Sequence, residues 1–402
     1  SNPHRILQDP PGMHNHYPAW SHDMKWIYVV RGREPGLNMD LWRIPLDGGP
    51  PEQLTTFERF ISHPTPIDDR NVLYIGKDQN GCGPWLWAFD PEEKVSRRLT
   101  TGTEKYSSVS AALHGHRLIA SVIAPEATLW SVPIPRNGRI VEESAVKPYE
   151  MPSARALMPR FGRKSLFYLS SQGCNDGLWR IPLDGGPPTE VLKAPLLEPP
   201  AVSRDEDAVV VRRNGKKNLF LIPADGSQKR TLASTVEVRG APAFSPDGKW
   251  IATGGNDGTV DGLFKIPLDG GLPVSLVAGP ASNPVWSPDG SVIAYVGRNE
   301  RARQPVYLVR SDGTAEPSPL GIDVGADGWR MQFLDDNHLI YMKGLQGAQD
   351  FWMLNLTTHK QDLLTKLDRS AIMTTFDITP DRTALVFDRL KNNSDITLIE
   401  PR

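Results

Sequence analysis

The sequence predicts an all-β fold, a closed β-propeller of four-stranded antiparallel blades, on the strength of two observations. A phrase close to Leu41–Gly49, Leu-Trp-Arg-Ile-Pro-Leu-Asp-Gly-Gly, begins at nine places in the 402 residues, at intervals of 41 to 49 residues. The chain also contains 35 Gly and 37 Pro, which interrupt helices and favour short strands joined by turns. A four-stranded unit that repeats at such an interval is typical of a propeller blade.

Each repeat carries the signals of four strands in a fixed order. A short apolar strand such as Pro242–Phe244 leads into the turn Ser245–Gly248, and a second strand follows. Proline presets φ for such a turn, and glycine supplies the left-handed residue. The Leu-Trp strand is third, and Asp-Gly-Gly turns the chain into the fourth. One aromatic position of the third strand is predicted to pack between blades: Trp42, Trp87, Trp130, Trp179, Phe220 and Phe264.

Counting the repeats predicts nine blades in a single domain over residues 1–402. Eight blades is the alternative count, because the unit at 106–151 is weak. The ninth unit ends after its third strand, so the N-terminal segment 4–8 is predicted to pair with it and close the ring. The predicted units are 17–56, 62–102, 106–151, 153–194, 196–235, 238–279, 282–324, 328–367, and 371–402 together with 4–8.

Composition excludes several classes of protein. A formal net charge of −2 argues against nucleic-acid binding, which needs a clustered basic face. No run of 18 apolar residues is present, so membrane insertion is not expected. Cys82 and Cys174 lie in non-adjacent repeats, too far apart for disulfide geometry, and are predicted to be free thiols. We expect a monomer without cofactor or metal, and the start Ser-Asn-Pro suggests a piece of a longer protein.

The repeat resembles the TolB-like, WD-like propeller repeats of bacteria. The likeness is best at Ser245–Gly248 and Leu263–Gly271, and in looser form it covers nearly the whole chain. Such propellers occur in periplasmic proteins, as non-catalytic gates of serine peptidases, and as C-terminal sensor domains of serine/threonine kinases and winged-helix transcriptional regulators. Gly83–Asp90 and Leu129–Ile134 are most similar to the kinase- and regulator-linked group. The resemblance implies a location in the periplasm or otherwise outside the cytoplasm.

Catalytic motifs are absent from the sequence. There is no Gly-x-Ser-x-Gly elbow, His-Glu-x-x-His, P-loop or dinucleotide fingerprint. A hydrolase or lyase acting at the channel mouth would need paired carboxylates, and the predicted inner strands offer only Glu198 clearly. His14, His16 and His63 have the chemistry of a metal site near one rim, but polar loop residues are the preferred interpretation.

The channel mouth is the predicted binding site, because polar groups converge where the innermost strands begin. Its lining suits an anionic small molecule or an acidic peptide end, and a water-filled channel is the alternative. The predicted ligand-binding residues are His16, Tyr17, His63, Tyr106, Arg155, Glu198, Arg239, Asn283 and Arg330.

Three functions follow from these patterns. The first is a non-catalytic sensor or protein-interaction propeller, the C-terminal domain of a bacterial signalling protein, with a protein or peptide as its partner. The second is a free-standing periplasmic scaffold of the TolB type. The third is an enzyme acting at the channel mouth. Fold alone does not decide among them, since function resides in the site.

Overall fold

The computed structural model is almost entirely β-structure. It describes residues 5–34, 38–79, 83–100, 104–112, 117–135, 138–152, 155–172, 175–193, 199–212, 218–224, 228–232, 235–297, 304–324, 331–369 and 371–400. Apart from a short 3₁₀ helix (Glu143–Ala145), every regular element in these ranges is a β-strand. Within the same ranges, no helix has the length and apolar character needed to cross a bilayer.

The described ranges contain thirty-five strands, numbered here in chain order. The first twelve are β1 (His14–Trp20), β2 (Trp26–Glu34), β3 (Asn38–Pro45), β4 (Glu52–Gln53), β5 (Ile61–Pro66), β6 (Val72–Gly76), β7 (Trp85–Asp90), β8 (Val95–Arg98), β9 (Lys105–Ala111), β10 (Leu118–Pro133), β11 (Val141–Glu142) and β12 (Lys147–Pro148). The next twelve are β13 (Leu157–Phe161), β14 (Ser165–Gln172), β15 (Asn175–Pro182), β16 (Thr189–Lys193), β17 (Ala201–Val202), β18 (Ala208–Arg212), β19 (Leu219–Pro223), β20 (Arg230–Leu232), β21 (Glu237–Phe244), β22 (Trp250–Asn256), β23 (Asp261–Pro267) and β24 (Val274–Ala278). The last eleven are β25 (Ala281–Trp286), β26 (Val292–Gly297), β27 (Pro305–Arg310), β28 (Ser318–Asp323), β29 (Met331–Asp335), β30 (His338–Leu345), β31 (Ala348–Asn355), β32 (Gln361–Leu363), β33 (Thr365–Lys366), β34 (Phe376–Ile378) and β35 (Ala384–Ile399).

The chain divides into two compact units. The smaller unit is Ser1–Pro125 with Asn392–Arg402, and the larger is Glu126–Lys391. The sequence predicts a single domain over 1–402, which stays a prediction from the repeat. The sheets of four consecutive strands in each unit are antiparallel, as the hairpin signals of the repeat predict, and the larger unit also contains a short parallel pair, β11 with β33.

The smaller unit contains two complete four-stranded sheets, β1-β2-β3-β4 and β5-β6-β7-β8. An apolar cluster that includes Val30, Leu41 and Ile61 joins these two sheets. Strand β9 pairs with the first part of β10, where Leu118 lies opposite Ala111. Their core lies against the second sheet, so the three sheets stack face to face.

The larger unit contains five four-stranded sheets of consecutive strands, from β13-β14-β15-β16 to β29-β30-β31-β32. A sixth sheet has the order β34-β35-β10-β12. The first strands of the six sheets contact one another in sequence: β13 with β17, β17 with β21, β21 with β25, and β25 with β29. Strand β34 contacts both β29 and β13. We call these six the innermost strands, and together they form a circle of contacts.

Repeats three and nine differ from the predicted hairpin pattern. The sequence predicts separate second and third strands in each, but β10 and β35 are single strands of 16 residues. The chain between the predicted strands of β10 reads Val122–Leu129 without Gly, Asn or Asp, so it lacks the residues of a two-residue hairpin. Thr383 accepts a backbone hydrogen bond from Ile134 beside the paired strands (2.8 Å). Neither the count of nine blades nor that of eight follows directly from these sheets.

The predicted N-terminal closing strand is wrong for the part that the structure describes. Residues 5–8 are not in a strand, and β35 neighbours β10 instead. The following Pro10 and Pro11 have no N–H to donate to a sheet ladder. The segment is held by the Asp9 carboxylate, which accepts hydrogen bonds from Arg31 and Asn15.

The Ser-Pro-Asp-Gly turns form as predicted. In the turn at Ser245, the hydroxyl donates to the Asp247 carboxylate (2.5 Å), and Gly248 has a φ of +69°. The turn at Ser287 repeats this geometry, with a hydroxyl-to-Asp289 distance of 2.6 Å. These bonds fix the corner between the first and second strands of a sheet, so the corner residues have a defined position.

Five of the six aromatic residues predicted to pack between blades lie in or against apolar clusters, and the sixth, Trp42, packs beneath an arginine. Phe264 is buried in the cluster shared by β17–β20 and β21–β24. The guanidinium of Arg31 covers the ring of Trp42 at 4.6 Å. Four more rings are partly buried against clusters that two neighbouring sheets share: Trp87, Trp130, Trp179 and Phe220.

Candidate functional site

A cavity of about 240 Å³ lies inside the circle of innermost strands in the larger unit. All six innermost strands contribute to its lining. Proline and aromatic side chains contribute to the wall, among them Pro242, Phe244, Pro284 and Trp286, although the surface exposed to the cavity is more polar than apolar. A cavity that every sheet lines is the natural place for a ligand in this unit.

The first strands of several sheets in both units share a bulge, among them β1, β5, β13 and β25. The residue at the bulge has a positive φ in several sheets of both units: Tyr17 (+54°), His63 (+49°), Met158 (+52°) and Asn283 (+50°). Each of the four precedes a proline, although that position normally favours extended backbone. A positive φ is uncommon for residues other than glycine, so the bulge is a built feature of the repeat.

Two hydrogen bonds hold these bulges against neighbouring sheets. The side-chain oxygen of Asn283, itself buried, accepts from the backbone N–H of Ala241 on β21 (2.7 Å). The carboxylate of Asp388 on β35 accepts from the N–H of Met158 on β13 (3.0 Å). Each contact joins one sheet to the next near the cavity.

Arg160 and Asp377 place two charged side chains in the cavity wall. Arg160 donates to the carbonyl oxygens of Pro159 (2.7 Å) and Phe376 (2.9 Å). The Asp377 carboxylate accepts the N–H of Phe161 (2.7 Å). Burial lowers the pKa of Arg160 and raises the pKa of Asp377, because each charged form loses hydration. Both groups bind backbone atoms and so tie the first and last innermost strands together.

The cavity opens into a wider funnel of about 950 Å³. Phe161, Pro246, Gln332 and Asp377 line both spaces, so the two are continuous. The rim of the funnel is formed by the turns that follow the innermost strands. Its charged residues are Arg163, Arg204, Asp205, Asp247, Asp289, Asp336 and Arg382.

The nine predicted mouth residues divide between the two units. In the smaller unit, the rings of Tyr17 and His63 lie 4.3 Å apart, beside His16. Tyr106 packs partly buried against the apolar cluster of that unit. Among the described residues of the larger unit, Asn283 lines the cavity and Arg239 is half exposed, paired with Asp261 (2.8 Å).

The remaining predicted residues add little to the site. Arg155 precedes β13 and is half-buried. Glu198, Arg330 and the two cysteines, Cys82 and Cys174, lie outside the described residues. The ring of nine residues stays a prediction.

The histidines do not form a metal centre in the part of the chain that the structure describes. The rings of His14 and His16 stack at 6.0 Å, and burial lowers the pKa of His63. No group of three or more His, Cys, Asp or Glu in that part is arranged to hold a metal ion.

Sequence reasoning missed Arg160, Asp377 and Gln332, although a signal was present. In the aligned repeats, these residues occupy the place of Ala243 in Pro-Ala-Phe-Ser. A charged or amide side chain at a position that is otherwise small and apolar marks the repeats that line the cavity with polar groups.

The four-stranded antiparallel sheets, with contacts between their first strands, are typical of a β-propeller fold. No family model matches the chain. Over 108 residues, 27% of this chain, it is 30% identical to a TolB homolog of Chlorobaculum tepidum, and it spans about a quarter (25%) of that relative's length. This likeness, with the first of the solved structures below, supports a TolB-like β-propeller.

Two TolB structures are among the solved structures similar to the chain. A protein described as a TolB from Agrobacterium tumefaciens is 17% identical with a TM-score of 0.51, and the match covers 66% of this chain and 99% of that one. The TolB of Acinetobacter baumannii is 12% identical with a TM-score of 0.47, covering 74% of this chain and 78% of that one. The first of these shows the propeller fold and nothing about function.

Proposed function

We propose that this chain is a non-catalytic binding scaffold whose larger unit receives a segment of a partner protein in its central cavity. The observation that carries the proposal is the cavity itself, which residues of all six innermost strands line. Propeller cavities lined by proline and aromatic side chains offer apolar surface for burial, and the funnel gives access to it.

In this proposal the larger unit is a ring of six blades. Five blades are the sheets of consecutive strands. The sixth is the sheet β34-β35-β10-β12, which we call the mixed sheet because its strands come from two distant parts of the chain. The contacts of β34 with both β29 and β13 support closure of the ring at this sheet. Closure through a mixed blade leaves no long unpaired edge facing the cavity.

The polar groups of the cavity favour binding over catalysis. Both oxygens of Asp377 accept backbone N–H groups, from Phe161 and Ile378. Arg160 is likewise engaged with backbone carbonyls. A general acid or base must reach substrate protons, and these groups are already committed to holding strands together.

The comparisons favour one setting for the scaffold. The curated relative is a TolB homolog, which agrees with a free-standing scaffold outside the cytoplasm. The alternative, a sensor domain fused to a kinase or transcriptional regulator, has no support among these relatives. A small anionic ligand at the predicted channel mouth is also disfavoured, because the guanidinium of Arg239, one of the predicted mouth residues, is already paired with Asp261.

The test is a selection from a displayed library of random peptides, made with the whole chain. Ala243 lines the cavity, so Ala243→Trp is expected to fill it and remove most of the selected binding. Ala112→Trp, at an exposed position of the smaller unit, is the matched control and is expected to bind as the unmodified chain does. Peptides that bind all three proteins equally would contradict the proposal.

A further inference from the structure

The charges on the funnel rim are sorted by blade. Arg382 lies in the turn after β34, and Arg163 lies in the turn after β13. Asp247, Asp289 and Asp336 lie in the turns after β21, β25 and β29. Since β34 contacts β13, the two arginines are on neighbouring sheets, and the three aspartates occupy three consecutive sheets.

The two groups face each other across the funnel. Going round the circle of innermost strands, β13 is three places from β25, and β34 is three places from β21. Arg163 therefore lies opposite Asp289, and Arg382 lies opposite Asp247. Arg204 and Asp205 share the turn between the two groups, where their charges offset each other. The rim has a cationic side and an acidic side.

These charges are available to a ligand. Arg163 and Arg382 are exposed, and neither forms an ion pair with any residue that the structure describes. Hydrogen bonds from the Ser245 and Ser287 hydroxyls lower the pKa values of Asp247 and Asp289, so both stay ionised near neutral pH. Asp336 is exposed, and one of its oxygens accepts the N–H of Asp289 (2.9 Å).

The inner cavity sets a further requirement on the peptide, which is an apolar side chain that fits into it. The inner cavity, about 240 Å³, is smaller than the roughly 300–1,000 Å³ of pockets for whole small ligands. It suits one large apolar side chain packed against lining residues such as Phe244 and Trp286, while the funnel of about 950 Å³ holds the chain on either side. Apolar burial then supplies affinity, and the charges fix direction.

We infer that the funnel binds an extended peptide segment carrying an acidic side chain and a basic side chain on either side of one large apolar residue. The acidic side chain contacts Arg163 and Arg382, and the basic one contacts Asp247, Asp289 and Asp336. The polarity of the rim admits the segment in one direction only. This inference rests on the proposed function and specifies the partner of the same cavity.

The experiment reads the sequences of library peptides that bind the whole chain but not Ala243→Trp. Two rim variants separate the charges: Arg163→Ser with Arg382→Ser, and Asp289→Asn with Asp336→Asn. The asparagines keep the acceptor oxygens of the turns, so the fold is retained. Arg97→Ser, at an exposed site on β8, is the matched charge control.

We expect the cavity-dependent peptides to carry both charges around an apolar residue. Each rim variant is expected to weaken binding about tenfold. The arginine variant should remove the need for the acidic side chain of the peptide, and the aspartate variant should remove the need for the basic one. Cavity-dependent peptides without this charge pattern would overturn the inference while leaving the proposed function intact. If no selected peptide depends on the cavity, both are overturned.

Discussion

The carboxylate of Asp388 accepts a hydrogen bond from the backbone N–H of Met158, 230 residues away in the chain (3.0 Å). The same fully buried carboxylate also accepts from the N–H groups of Thr374 (2.7 Å) and Thr375 (3.0 Å) and from the Thr374 hydroxyl (2.6 Å). It therefore joins the last sheet of the larger unit to the bulge of β13.

Asp388→Ala is expected to lower the free energy of unfolding by about 3 kcal/mol, because it leaves several buried donors without acceptors. Urea unfolding at neutral pH measures the loss. Asp184→Ala, on an exposed turn, is the control and is expected to change it by less than about 0.5 kcal/mol. A small effect at Asp388 would show that the junction between β13 and the last sheet is held by other contacts.

Gly240 lies where the bulges of β21 and β25 meet. Its φ is +75°, and a Cβ added there would lie 2.4 Å from the side-chain oxygen of Asn283. Gly240→Ala is thus expected to destabilise the larger unit by about 2 kcal/mol or more, through backbone strain and the displaced Asn283 contact. Thermal unfolding measures the change.

Gly258→Ala is the matched control for Gly240→Ala. Gly258 also has a positive φ (+98°), but no atom lies within 4 Å of the added Cβ. The difference between the stability losses of the two variants measures the cost of displacing the Asn283 contact. Equal destabilisation would mean that backbone strain alone accounts for the loss.

The aspartates of the turns predict a loss of stability in acid. Hydrogen bonds from serine and threonine hydroxyls and from backbone N–H groups lower the pKa values of Asp23, Asp247, Asp289 and Asp381, and lower that of Asp257 to about 2. A depressed pKa in the folded state means that the ionised form stabilises the fold. This contribution is present above the unfolded value of about 4 and is lost as pH falls toward about 2.

Unfolding free energies measured from pH 7 to pH 2 test this expectation. Ser245→Ala with Ser287→Ala removes the hydroxyl donors to Asp247 and Asp289. The double variant is expected to be less stable at pH 7 and to lose less on acidification. A decline as steep as that of the unmodified chain would contradict the assignment to these turns.

The mixed sheet predicts which fragment of the chain folds. Residues 126–391 contain all six sheets of the larger unit, so this fragment is expected to unfold in one cooperative transition. Fragment 149–391 lacks the segments of β10 and β12 that complete the sixth sheet. It is expected to be markedly less stable in urea, and equal stability would argue against the mixed sheet.

Much of the fold is predictable because the repeat encodes it locally. The corners at Ser245 and Ser287 follow from turn chemistry, and seven sheets of four consecutive strands follow from the alternation of turns and apolar segments. Partner choice for β10 and β35 is a long-range property. Two strands with similar apolar patterns can pair with either of several neighbours, and only the packing of whole sheets decides.

The site is less predictable than the fold. Of the nine residues predicted at the channel mouth, Asn283 on β25 lines the cavity, and the predicted ring itself stays a prediction. Polarity of the rim depends on which turns stand opposite one another, and that depends on how many sheets close the circle. With nine blades assumed, the opposition of Arg163 and Asp289 is not visible in the sequence.

The mixed sheet also bears on how such a chain can evolve. Repeats one and two, β1 to β8, precede every strand of the circle around the cavity. A duplication or deletion upstream of Lys105 would change the length of the smaller unit and leave the six sheets around the cavity intact. Recombination among near-identical repeats can then vary one part of the molecule freely while the part around the cavity keeps its geometry.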